Sequence, residues 1–218
     1  MNKILLIGMG KFGQTLGEKL LEIGDEVMIV DKDEEKINRF APKYTDALIA
    51  NCMEEENLRA LAPASFDACV VAIADDFQSS MEITSLLKEL GAKYVVAKAA
   101  TEIQRKFLLR NGADEVVYPD YDMAEKLAVT LHSTKVFDYI ELNEENSIME
   151  VSVPSRWAGK QLADVNPRKN YGLNLLTVRK PDETLITELS AEYCFEPGDH
   201  MLVFGNTEKI MKFTNKFS

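Results

Sequence analysis

Histidine is nearly absent from this chain of 218 residues: only His132 and His200 occur. Cysteine is scarce too, with Cys52, Cys69 and Cys194 far apart and in no CxxC spacing. Together these shortages argue against a structural zinc site and against a disulfide framework. Basic residues are the minority, 25 Lys and Arg against 36 Asp and Glu, for a formal charge of -11. A general nucleic-acid binder would show a basic face, so nucleic acid is not an expected partner. One anion in a local pocket stays possible, because loop and helix-terminal amides bind it without net charge. Long apolar runs are also missing, and nothing approaches the ~20 residues of a membrane span. The first apolar run, residues 4–7, meets Gly8 too soon to form the core of an export signal. Thiols without an export signal point to the cytosol. Any role at a membrane would then run through a partner. No G-x-x-x-x-G-K-[ST] sequence is present, so P-loop hydrolysis is not indicated.

What is there is rhythm. The chain is 46% hydrophobic and 28% charged, enough to bury a core. Short apolar runs at 3–8, 26–31, 47–50, 67–74, 94–98 and 115–118 read as strands. Between them, apolar residues at three- and four-residue spacing predict helices over 12–23, 33–40, 54–61, 77–90 and 103–110. Strands apolar throughout, alternating with amphipathic helices, define βαβ units with a sheet buried on both faces. The fold class is α/β, a doubly wound parallel sheet of Rossmann type. A further helix is expected over 123–131. Beyond it the pattern changes to half-exposed strands at 147–153, 173–178 and 200–204 and a closing helix over 207–217. The expected division is a nucleotide-binding lobe at 1–133, a linker at 134–142 and a smaller α+β lobe at 143–218.

The chemistry concentrates at Gly8-Met9-Gly10-Lys11-Phe12-Gly13, a GxGxxG that follows the first strand and opens the first helix. Gly8 permits the tight turn, Gly10 lets a pyrophosphate approach the backbone, and Gly13 lets helix and strand pack closely. Phosphate oxygens would meet free amides and the positive end of the helix dipole. Asp31 ends the second strand, where an acid hydrogen-bonds ribose hydroxyls and disfavours a 2′-phosphate. NAD, ATP and ADP all remain open. Ligands in such sheets lie at the carboxyl ends of strands. That adds Asn51 and Cys52 after the third strand, and Ala72, Ile73 and Ala74 with Asp75 and Asp76 after the fourth. Lys98 ends the fifth. Lys11 and Lys98 read either as phosphate contacts or as solvated lysines. Asp120 reads either as a cation ligand beside phosphate or as a helix N-cap. Cys52 reads as a small buried thiol, and His132 and His200 as surface or core histidines.

The ordered segments Ile7 to Gly13, Val30-Asp31-Lys32-Asp33-Glu34-Glu35-Lys36, Phe66-Asp67, Val70 to Ile73 and Gln78-Ser79-Ser80 resemble the RCK (KTN/TrkA) regulators of potassium transport. Lys98-Ala99, Gly112-Ala113-Asp114 and Pro119 to Ala124 continue the likeness, and Leu162 to Arg168, Tyr171-Gly172 and Pro197-Gly198-Asp199 extend it to the end. The resemblance implies a Rossmann lobe binding ATP, ADP or NAD(H). It also implies dimers in an octameric ring beneath a potassium-translocating membrane subunit, at the inner face of the cell membrane. Position by position, the resemblance implies that Gly8, Gly10 and Gly13 hold phosphate and Asp31 the ribose, with Phe12 and Lys32 among the cofactor-binding positions. Lys11 stands where Ktr-type members often carry arginine and lacks its planar fork. Lys98 would touch phosphate across the dimer. Asp120 replaces a glutamate associated with a divalent or monovalent cation. In the small lobe the resemblance implies a second effector, cyclic di-AMP, at Arg168, Tyr171, Asn174 and Leu175. The proline-containing loop of such members is not matched around Leu189-Ser190-Ala191. The rival readings are a small NAD-dependent oxidoreductase or redox-sensing protein, and a scaffold whose site takes no nucleotide.

Overall fold

The computed structural model describes residues 1–217 and divides into two compact units, Met1–Asp120 and Tyr121–Ser218. In the first, six parallel strands form one sheet in the order β3-β2-β1-β4-β5-β6. They are β1 (Lys3–Ile7), β2 (Glu26–Asp31), β3 (Asp46–Ile49), β4 (Ala68–Val71), β5 (Val95–Lys98) and β6 (Glu115–Val117). Helices α1 (Lys11–Glu22), α2 (Glu34–Phe40), α3 (Glu55–Ala60), α4 (Phe77–Glu89) and α5 (Glu102–Arg110) connect them.

Side chains alternate across a strand, and β1 shows what that does here. Leu5 and Ile7 pack on one face with Leu58, Ile83, Leu87 and Leu108 from α3, α4 and α5. Ile4 and Leu6 pack on the other face with Ile37 and Phe40 of α2 and with Phe12, Leu16 and Leu20 of α1. Both faces are covered, which is why the strand carries no alternating polar residues. The strand order reverses direction between β1 and β4, and a crevice forms at the carboxyl ends there.

The second unit holds a five-stranded sheet, ordered β10-β9-β11-β8-β7, whose pairings are all antiparallel. Its strands are β7 (Val136–Asn143), β8 (Asn146–Ser152), β9 (Asn174–Arg179), β10 (Leu185–Ile186) and β11 (His200–Asn206). Helix α6 (Pro119–His132) leads into it, and α7 (Leu162–Val165), α8 (Pro167–Tyr171) and α9 (Thr207–Lys216) complete it. Met149, Val151, Val178, Met201 and Val203 form one buried sheet face beneath Trp157, Phe195, Ile210 and Phe213.

Several boundaries differ from the sequence expectation. The stretch expected as a linker, 134–142, is largely strand β7, paired with β8 along its length. Helix α6 begins at Pro119, earlier than expected; proline suits a first helical turn because its missing N–H has no partner to lose there. Strand β4 ends at Val71, so residues 72–74 are free to line the crevice. The two-residue strand β10 and the short helices α7 and α8 carry too few residues for a periodic signal.

Candidate functional site: a cleft at the glycine turn

The turn after β1 is held from both sides. Gly8 N–H donates to the Val30 carbonyl at 2.8 Å. Met9 N–H donates to Asp31 Oδ2 at 2.7 Å, and Asp33 N–H to Asp31 Oδ1 at 3.0 Å. The Asp31 carboxylate thus ties the glycine turn to the end of β2. Gly8 has φ +99°, and a Cβ there would stand 2.9 Å from Ile73 Cγ1. At Gly13 a Cβ would stand 2.1 Å from the Gly8 carbonyl oxygen, so helix and turn approach too closely for any side chain. Gly10 differs: a Cβ would meet nothing within 4 Å. The space above it is open on the side an anion would approach.

Helix α1 starts at that space without a side-chain cap and without an acidic residue in its first turn. Five other helices carry a side-chain cap, while the short α3 and α7 also start without one. Asp33 accepts from Lys36 N–H on α2, Asp76 from Ser79 N–H on α4, Thr101 from Gln104 N–H on α5, Asn166 from Lys169 N–H on α8, and Asn206 from Lys209 N–H on α9. The first amides of α1 are left as donors, with the positive end of the helix behind them.

A cleft of about 250 Å³ opens at this point. It brings together Gly8, Gly10, Asp31, Lys32, Asn51, Cys52, Ala72, Ile73 and Ala74 among the residues expected from sequence. Asp75 and Asp76 line it as well. Lys36, Met53, Ser79 and Ile83 also line it, and the sequence reading gave none of them a place in the site, although Lys36 and Ser79 stand in segments that carry the family likeness. Only Lys36 carried a local signal, one helical turn past Asp33 and facing back to Asp31, with Nζ 3.8 Å from Asp31 Oδ2. Burial, then the Asp31 charge, pushes the Cys52 thiol up to about 12, so it is protonated at neutral pH.

Lys11, Phe12, Gly13 and Lys98 do not line the cleft. Phe12 packs on the sheet beside Leu6 and Ile37, and Lys98 Nζ rests 5.5 Å from the centre of its ring. Asp120 is exposed and outside the cleft. Among the described residues no group of three His, Cys, Asp or Glu is placed to hold a metal ion. His132 ends α6, and His200 stacks on Phe137 at 3.9 Å with Nδ1 3.1 Å from Glu150 Oε1; both belong to the second unit.

In the second unit, Arg168, Asn174 and Leu175 do share a depression of about 380 Å³ with Asn166, Pro167 and Ala191. Tyr171 is not part of it. Its ring packs 5.1 Å from Phe213 and 5.6 Å from Trp157, and its hydroxyl accepts from Arg156 at 2.7 Å.

Fold and cleft together define a doubly wound α/β domain with a cleft at its glycine turn, followed by a small α+β lobe. Comparison with known proteins makes this specific. Residues 4–119 match the TrkA-N domain, and residues 148–218 match the TrkA-C domain. The chain is 36% identical to Ktr system potassium uptake protein C of Bacillus subtilis over 97% of this chain and 95% of that protein. It is 34% identical to Ktr system potassium uptake protein A of the same organism, over the same shares. A solved structure titled GsuK channel bound to NAD superposes with a TM-score of 0.69 at 15% identity, covering 95% of this chain and 38% of that one. The chain belongs to the RCK family built from a TrkA-N and a TrkA-C domain, the family of the Ktr potassium uptake proteins. Neither domain nor relative is named for an enzyme. No helix among the described residues is long and apolar enough to cross a membrane.

Proposed function

We propose that this chain is a regulatory subunit of a potassium uptake system, acting by nucleotide binding and not by turnover. The observation that carries the reading is the bare start of α1, facing open space at Gly10 with Asp31 beside it. A di- or triphosphate lies against the α1 amides, its ribose hydroxyls reach Asp31, and its base enters the cleft toward Asn51 and Met53. The cleft at the glycine turn suits the ribose and phosphates that ATP, ADP and NAD(H) share. Lys98 leaves the Phe12 ring for phosphate when the site fills.

The membrane partner is a separate potassium-translocating subunit, and the chain sits at the cytoplasmic face of the membrane through it. Self-association into dimers and an octameric ring is part of the same reading. Its support is the face of α6 on which Met123, Leu127 and Leu131 are 64%, 53% and 75% exposed. A ligand shifts such an assembly only by binding one arrangement better than another; about 1–3 kcal/mol per site is typical. Arg168, Asn174 and Leu175 are the positions for cyclic di-AMP in the small lobe, with Tyr171 acting as scaffold behind them.

The test is calorimetric titration of nucleotide-stripped protein with ATP, ADP, NAD⁺ and NADH, with Gly10→Asp as control. Binding of ATP and ADP that the control loses supports the reading. Preference for NAD(H) would favour the redox-sensing alternative, and no binding at all would leave a scaffold.

A further inference from the structure

Asp31 is the acid proposed to meet a ribose, and a carboxylate offers about four lone-pair positions over its two oxygens. Two are occupied, on Oδ2 by the Met9 amide at 2.7 Å and on Oδ1 by the Asp33 amide at 3.0 Å. One position remains on each oxygen, which matches a cis-diol donating through both hydroxyls. A hydroxyl that donates also keeps lone pairs of its own, and an acceptor alone reads only half of it.

Lys36 supplies the complementary donor. It lines the cleft with Asp31, and its Nζ stands 3.8 Å from Asp31 Oδ2 and 3.6 Å from Asp33 Oδ2. Both distances hold an ion pair and exceed a hydrogen bond. The ammonium is drawn to the carboxylates without committing its three N–H groups to them. A hydroxyl oxygen about 2.8 Å from each partner fits the gap between Nζ and Asp31 Oδ2, accepting from one and donating to the other.

The chain holds Lys36 in that place. Its amide donates to Asp33 Oδ1 at 3.2 Å, and its neighbours on α2, Ile37 and Phe40, are buried against the sheet. Those anchors fix the rotation of the helix. A cation in a first helical turn lies at the positive end of the dipole, an unfavourable position that the two carboxylates offset.

We infer that Lys36 is a specificity-determining residue of this cleft: it donates to the hydroxyls that Asp31 accepts, so the pair reads a cis-diol and favours ribonucleotides over their 2′- and 3′-deoxy forms. The inference rests on the reading of the cleft as a nucleotide site. The experiment is calorimetry at fixed ionic strength on the full, nucleotide-stripped chain with ADP, 2′-deoxy-ADP and 3′-deoxy-ADP. The parent, Lys36→Met and Lys36→Arg are compared, each checked for folding by a thermal scan. The parent should bind ADP about tenfold or more tightly than at least one deoxy form. Lys36→Met should narrow that gap about fivefold by weakening ADP more than the deoxy form, and Lys36→Arg should keep most of it. Loss of ADP and both deoxy forms by one common factor overturns the inference, because a lysine acting only on phosphate charge or on the fold would do that. An unchanged ADP affinity in Lys36→Met, or a parent that binds all three nucleotides equally, overturns it too while leaving the nucleotide site intact. Binding of none of the three by the parent overturns the reading beneath it.

Discussion

Asp31 Oδ2 accepts the amide of Met9 at 2.7 Å, so the acid proposed to meet the ribose also braces the turn proposed to hold the phosphates. One carboxylate serves two neighbouring parts of the cleft. Its other oxygen accepts Asp33 N–H, the start of α2.

Asp31→Ala should therefore affect both binding and fold. Charge-assisted hydrogen bonds contribute about 1.5–3 kcal/mol each, so adenine-nucleotide affinity should fall roughly 10–100-fold. Melting without ligand should also drop, by an amount set by the two orphaned amides. Calorimetry reads the first effect and a thermal scan the second; loss of affinity at an unchanged melting temperature would contradict the bracing role.

The glycines separate by space. Gly10→Ala adds a methyl group where nothing lies within 4 Å, so the apo protein should melt within a few degrees of the parent while nucleotide binding weakens more than tenfold. Gly13→Ala drives a methyl group into the Gly8 carbonyl at 2.1 Å and should destabilise by about 1–3 kcal/mol or more. Denaturant unfolding of the two variants side by side tests the contrast.

Burial pushes the thiols of Cys52 and Cys69 up to about 12, from an ordinary value of 9. Both stay protonated in the folded chain until the medium is strongly alkaline. The unfolded chain ionises first, so their contribution to stability is fully present below about pH 9 and is lost as pH rises toward 12. At pH 8 an alkylating reagent should modify the exposed Cys194 alone, which intact-mass spectrometry resolves. Rapid labelling of three thiols in the native state would contradict this burial.

The carboxylate of Asp199 is fully buried, accepts from Tyr193 Oη at 2.8 Å and Glu196 N–H at 2.9 Å, and lies 3.2 Å from Lys180 Nζ. Burial draws the Lys180 pKa down, but Tyr193, Glu196 and Asp199 outweigh it and raise it above the usual lysine value. Removing one partner of a buried pair strands the other, so Asp199→Ala should destabilise the small lobe by about 3–5 kcal/mol. Far-ultraviolet circular dichroism in a denaturant series should show an early transition from this unit. Nucleotide affinity of the first unit should remain near the parent value.

The parallel sheet was legible because β1, β2 and β4 are buried on both faces and spell out continuous apolar runs. The edge strand β7 was not. It mixes Asp138 and Glu141 with the exposed Phe137, Ile140 and Leu142, and that pattern reads as connection. The glycine turn and Asp31 were readable because their spacing along the chain is itself the geometry. Met53 and Ile83 were not, since only the crossover from β3 to β4 brings the turn after β3 and helix α4 to one cleft; Ser79 stood in the sequence only within a segment shared with the family. Tyr171 shows the opposite failure. A matching segment assigned it to a ligand, but an aromatic ring beside Trp157 and Phe213 gains more from the core.

The uncapped start of α1 means that this helix is one residue short of complete in its own sequence. Five other helices carry their terminal acceptor in the chain; α1, like the short α3 and α7, does not. An anion held there, as proposed, would become part of the secondary structure while bound. The first turn should then fray when the position is empty and stiffen when it is filled, so occupancy of the site would be readable as local order in α1.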